Sequence, residues 1–112
     1  MRAETLKGHL DGLLLASLEE RPRHGYAIME ALRSGSGGQF DLPTGTVYPA
    51  LRRLERAGLI QGTWSRDGGR QRRNYELTSA GRDALAAERG TWREFAAAVT
   101  ALLEPAPRPV TP

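Results

Sequence analysis

The sequence predicts a mainly α chain with a small β-hairpin: a winged helix-turn-helix followed by a C-terminal dimerisation helix. Three observations carry this. Residues 44–58, TGTVYPALRRLERAG, form a short amphipathic pattern with arginines on one face. Two strand candidates, 59–65 and 71–77, follow across an Asp-Gly turn. A long, mostly apolar seam, spaced by three or four, then runs through Leu85, Glu88, Trp92, Phe95, Val99 and Leu102. The expected organisation is a winged-helix DNA-binding unit over 1–78, a dimerisation helix over 79–104 and a disordered tail over 105–112, PAPRPVTP.

The first helix is expected over 5–20. Leu6, Leu10, Leu13, Leu14 and Leu18 make its apolar stripe. Leu15 and Gly12 fall off that stripe, so Leu15 is expected to meet a partner helix, with close approach or a gap at Gly12. Arg21-Pro22 ends the helix. The second helix runs from about residue 24 to 33, burying Ile28, Ala31 and Leu32. A flexible loop, 34–39, and an extended segment, 40–43, feed the central helix. That order is helix-turn-helix with a lengthened turn.

The central helix buries Val47, Leu51 and Leu54, widened by Ala50 and Ala57. Its other face carries Thr46, Pro49, Arg52, Arg53 and Arg56, with Tyr48 at the margin. A slim polar start backed by arginines suits the major groove. Thr44 or Thr46 is expected to cap it, Pro49 to sit in its first turn, and Gly58 to end it. In the hairpin, 66–70 is the turn and Arg73, Tyr75 and Leu77 share a face. Trp64, in mid-strand, is expected in the core. Thr78 caps a last helix over 79–103. Its seam is too long for a small body to cover, so a second copy of the chain is expected on it.

The chain has 112 residues, a single-domain length, with 16 Lys and Arg against 13 Asp and Glu. Between residues 44 and 76 there are seven arginines and three acids, so the positive excess lies in the helix and wing. That is the footprint of a DNA-binding surface. There is no cysteine, which excludes disulfides and thiolate metal sites. His9 and His24 lie in different elements and no metal-ligand spacing appears, so neither a metal nor a cofactor is expected. No phosphate loop or nucleophile elbow is present, and an enzyme is not expected. The longest apolar run is too short for a membrane span, and the expected location is the cytoplasm.

Several stretches carry a resemblance: Leu6-Lys7-Gly8, the leucines 13–15, His24-Gly25-Tyr26, GTVYPAL at 45–51, Arg53-Leu54-Glu55, Gly58-Leu59-Ile60, the 68–73 wing and YELTSAG at 75–81. Together they resemble the PadR family of bacterial transcriptional regulators, in its smaller size class, over about residues 5–103. The resemblance implies a homodimeric winged-helix repressor, often autoregulatory or controlling a neighbouring transport or detoxification gene. It implies dimerisation through the last and first helices. In some small members aromatic drugs bind between subunits against a tryptophan of the last helix, and Trp92 matches that position.

The expected DNA-binding residues are Tyr26, Thr44, Thr46, Tyr48, Pro49, Arg52, Arg53, Arg70 and Arg72. Tyr26 either meets a phosphate or packs on Ile60. The expected dimer interface comprises Leu6, Leu10, Leu14, Leu85, Trp92, Phe95, Val99 and Leu102. An aromatic effector is expected among Leu13, Ser17, Trp92 and Phe95. The expected partners are thus an operator duplex, a second copy of the chain and that effector. The competing reading is a winged-helix module that binds protein or a small molecule and no DNA.

Overall fold

The structure is a computed structural model that describes Leu6 and residues 8–108, without the Asp67 side chain. The elements run α1 (Leu10–Ser17), β1 (Arg23–His24), α2 (Gly25–Gly35), α3 (Thr44–Arg56), β2 (Ile60–Asp67), β3 (Arg70–Leu77) and α4 (Ser79–Leu103). Residues 105–108 of the tail belong to no helix or strand, and 109–112 lie outside the described residues.

α1 is shorter than its sequence pattern. Gly8 takes φ +87°, which turns the chain just before the helix, and Leu18 already closes it. Thr5, the expected start, lies outside the described residues. Leu15 does not face a partner chain: it is 1% exposed, in the subunit's own core. α1 packs against α2, α3 and α4 at once, so more than one stripe of it is covered. Leu6, Leu14 and Leu85, expected at a dimer interface, are likewise core residues of one subunit. Gly12 faces the Glu88 side chain of α4, so the close approach there is within the chain.

β1, which the sequence pattern did not indicate, pairs antiparallel with β3 and makes a sheet of order β1-β3-β2. β2 and β3 pair from Ile60↔Leu77 to Asp67↔Arg70, longer than expected. Only Gly68 and Gly69 form the loop, with φ +60° and +83°, the left-handed pair that a tight hairpin needs.

α3 ends as expected. Gly58 takes φ +77°, and the N–H of Leu59 donates to the Leu54 carbonyl at 3.0 Å. Its start differs: Pro43 is the N-cap residue, and neither threonine caps by side chain. The Pro43 carbonyl instead accepts from the N–H groups of Thr46 and Val47. Pro49 is the sixth residue of α3, in its second turn, so it deprives the Gly45 carbonyl of its helical donor.

Thr78 caps α4, its Oγ1 accepting from Gly81 N–H at 3.0 Å while donating to the Gly58 carbonyl at 2.6 Å. Gly81 lies on the Leu59 carbonyl, where an added Cβ would be 1.9 Å from the oxygen. Leu85 enters the core, and Arg89 makes a two-pronged pair with Glu19 at 2.6 and 2.7 Å. The first turns of α4 therefore belong to the subunit's body. Beyond them α4 extends outward. The radius of gyration is 17.5 Å, against about 13 Å for a compact chain of this length. Trp92, Phe95, Leu102 and Leu103 are all more than half exposed. Among the described residues no helix is long and apolar enough to cross a membrane.

Candidate nucleic-acid interface

The core fixes α3 by one face, through Val47, Ala50, Leu51 and Leu54. Its other face is left to solvent: Thr44, Gly45, Pro49, Arg52 and Arg56 are exposed, and Thr46 is half-buried. Arg52, Arg56, Arg66 and Arg70 have no acidic partner among the described side chains. Arg53, expected among the phosphate binders, is instead paired with Asp11 of α1. That pair is about half exposed, and such pairs contribute ~0–1 kcal/mol, so Arg53 is easily redirected.

Tyr48 is held differently from the arginines. Its ring covers Gly25, the first residue of α2, and meets Tyr26 edge-on with centroids 6.5 Å apart. Burial raises the Tyr48 phenol above its usual range, and the nearby Tyr26 adds to this, so it is a neutral donor at physiological pH. Tyr26 is 65% exposed, so it is not packed on Ile60. It stands at the rim, where a phosphate contact is open to it.

The hairpin brings the wing to the same place. His24, Tyr26, Tyr48, Trp64, Arg70, Arg72 and Tyr75 line one groove of about 400 Å³, between the start of α2, α3 and the wing. Trp64 is not in the core: it is 64% exposed. It points to the same face as Ile60, but the hairpin has by then run past the core. What lies on its ring is the Arg73 guanidinium, 5.4 Å from the centroid. Arg73 is also tied to Glu55 at 2.5 Å, which joins the wing to α3. His24 caps α2, its Nδ1 accepting from Ala27 N–H at 3.3 Å.

The model of the transcriptional regulator PadR-like family matches residues 14–87, about two thirds of the chain. The chain belongs to the PadR-like family. A transcriptional regulator of Mycobacterium tuberculosis is 37% identical over 78 residues, 70% of this chain and 60% of that protein. A PadR family regulator of Clostridium difficile is 33% identical in its crystal structure, with TM-score 0.77, covering 86% of this chain and 99% of that one. One from Eggerthella lenta is also 33% identical, with TM-score 0.78, covering 90% and 87%. The PadR-like winged-helix fold is thereby shown, and the chain is a transcriptional regulator, not an enzyme. The family match runs from the middle of α1 to the first turns of α4, most of the subunit's body.

Of the expected site residues in this PadR-like chain, Tyr26, Tyr48, Arg70 and Arg72 share the groove. Thr44, Thr46, Pro49 and Arg52 lie on α3 itself. Sequence reasoning did not select Trp64 or Arg73 for this surface. The signal for Trp64 was its place only three residues before Asp67, towards the end of a hairpin that outruns the core. At the other end of the subunit, the His9 ring meets Trp92 edge-on at 5.4 Å and Phe95 at 6.4 Å. Leu13 is half-buried against the core. Ser17 donates to the Leu14 carbonyl at 2.6 Å. It lies eight residues along from His9, about 12 Å by helical rise, so one subunit does not bring it to Trp92.

Proposed function

We propose that this regulator binds DNA as a homodimer on a pseudo-palindromic operator, as a repressor released by a small aromatic ligand. The observation that carries the DNA part is the groove in which Tyr26, Tyr48, Arg70 and Arg72 converge beside the exposed start of α3. Thr46, Tyr48 and Pro49, with Thr44, approach base edges in the major groove. Arg52, Arg53, Arg70, Arg72 and Tyr26 hold phosphates.

The homodimer rests on the outer part of α4, where Trp92, Phe95 and Leu102 are exposed beside Val99, with Leu10 at the near end of α1. A second copy is the commonest cover for such a face. Residues 1–78 then form the reading unit and 79–104 the linking helix. An aromatic ligand stacking between the two Trp92 rings, flanked by Phe95, Leu13 and Ser17, would act by favouring a spacing of the readers that does not fit the operator. With DNA as its partner, the proposed place of action is the cytoplasm.

Selection of bound duplexes from a random pool tests this. The recovered site is an inverted repeat with half-sites about one or two helical turns apart. Thr46→Ala and Tyr48→Phe lower the ratio of selected-site to random-duplex affinity. An unchanged ratio in both variants would take α3 out of the groove.

A further inference from the structure

We infer that His24 and Arg72 form a two-donor clamp for one oxyanion, a backbone phosphate of the bound duplex, at the root of the wing. This rests on the proposed DNA binding and adds a ligand-contacting residue, His24, and a shared anion to it.

The inference starts from the imidazole. A neutral histidine has one acceptor nitrogen and one donor. His24 spends its acceptor, Nδ1, on the N–H of Ala27, which is the cap of α2. While that cap holds, a neutral imidazole carries its proton on Nε2. Yet the neighbour of Nε2 is Nη1 of Arg72, at 3.0 Å. A guanidinium has donors only. Two N–H groups thus face each other at hydrogen-bond distance with no acceptor of their own.

The backbone puts them there. β1 pairs with β3 so that His24 lies opposite Asn74. Arg72 is two residues along β3 and so projects from the same face. No described carboxylate pairs with Arg72. Glu55, which reaches this hairpin, is held by Arg73. Both groups line the groove shared with Tyr26, Tyr48 and Arg70. A repulsive contact in an open basic groove becomes two charge-assisted hydrogen bonds once an anion lies beside it. One oxygen accepts from Nε2–H and a second from the guanidinium. A phosphodiester has two such oxygens and a single charge, and the duplex passes beside this groove when α3 lies in the major groove.

The test is a scan of the selected duplex in which one phosphate at a time is replaced by a neutral methylphosphonate. His24→Asn keeps a capping side chain and removes the distant donor. Arg72→Gln removes the cation. In the wild type, several positions per half-site cost affinity, and the clamp's is the one, worth about tenfold, the size of one charged hydrogen bond, whose cost depends on His24 and Arg72. At that same position each variant, already weakened, loses little more, and the double variant is no weaker than the worse single one. Arg72→Gln also lowers the salt slope by about one unit, and His24→Asn leaves it unchanged. Unchanged affinity in both variants, or independent losses with no common phosphate, overturns the clamp while leaving DNA binding in place. A wild type that binds no duplex overturns the underlying reading instead. Inorganic phosphate that binds the wild type but neither variant, with no phosphate of the duplex depending on His24 or Arg72, would make the ligand the free anion and overturn the assignment to DNA.

Discussion

Tyr48 of α3 lies over Gly25 of α2 so closely that a Cβ at Gly25 would be 2.3 Å from the phenol oxygen and 2.7 Å from Cε1. The first turn of α2 is thus a seat for a side chain of the reading helix. Glycine is there because any other residue would displace the ring. Gly25→Ala is expected to swing Tyr48 off α2, break its contact with Tyr26 and cost about 1–3 kcal/mol by overpacking. Urea unfolding measures the loss, and the discrimination between selected and random duplex should fall with it.

Gly81 and Gly90 lie on the same helix and should respond oppositely to alanine. At Gly81 the new Cβ would run into the Leu59 carbonyl, and backbone cannot move aside cheaply. At Gly90 nothing lies within 4 Å. Gly81→Ala should destabilise by more than ~1 kcal/mol. Gly90→Ala should stabilise by up to ~1 kcal/mol, through helix propensity and a less free unfolded chain. Thermal unfolding of the two variants beside the wild type decides both signs.

The elements that the sequence made legible are those set by local rules. Thr78 caps α4, Gly58 ends α3, and the hairpin turns within 66–70, at Gly68-Gly69 rather than at the Asp-Gly pair, because each depends on local backbone or side-chain chemistry. The misplacements came from tertiary context. Leu15 is off a helical stripe, but three helices surround α1 and bury it. Trp64 alternates inward, but the hairpin outruns the core and leaves it at the surface. Arg53 looks like a free cation until α1 brings Asp11 to it. The candidate site was legible as a basic helix and wing. That His24 and Arg72 meet was not, because β1 is only two residues long and its pairing with β3 has no sequence pattern.

Tyr48 and Tyr75 give an alkaline prediction. Burial is the main cause that raises both phenols above the usual tyrosine value. The neutral forms are favoured in the folded chain. Their contribution to stability is therefore complete below the unfolded value of about 10, and it is lost as the pH rises through the raised folded values. Urea midpoints should fall above about pH 10, and less so in Tyr75→Phe. A midpoint that is flat through this range would contradict the burial of these phenols.

The outer part of α4 predicts association. Replacing Trp92 and Phe95 together by serine should give a monomer in sedimentation at micromolar concentration, where the wild type should be a dimer. The fold of the body should survive, because both side chains are more than half exposed in one subunit. A wild type that sediments as a monomer contradicts the proposed interface. In a Trp64→Phe background, Trp92 alone reports fluorescence. Planar aromatics should then change its emission and weaken operator binding together.

The central claim is that the unpaired arginines beside α3 meet DNA phosphates. The most direct measurement is duplex affinity against salt concentration, for the wild type and for Arg70→Ala. Log affinity should fall steeply and linearly with log salt in the wild type, and the slope should shrink by about one unit in Arg70→Ala on selected and random duplexes alike. A slope near zero in the wild type, or one that Arg70→Ala leaves unchanged, would contradict the account.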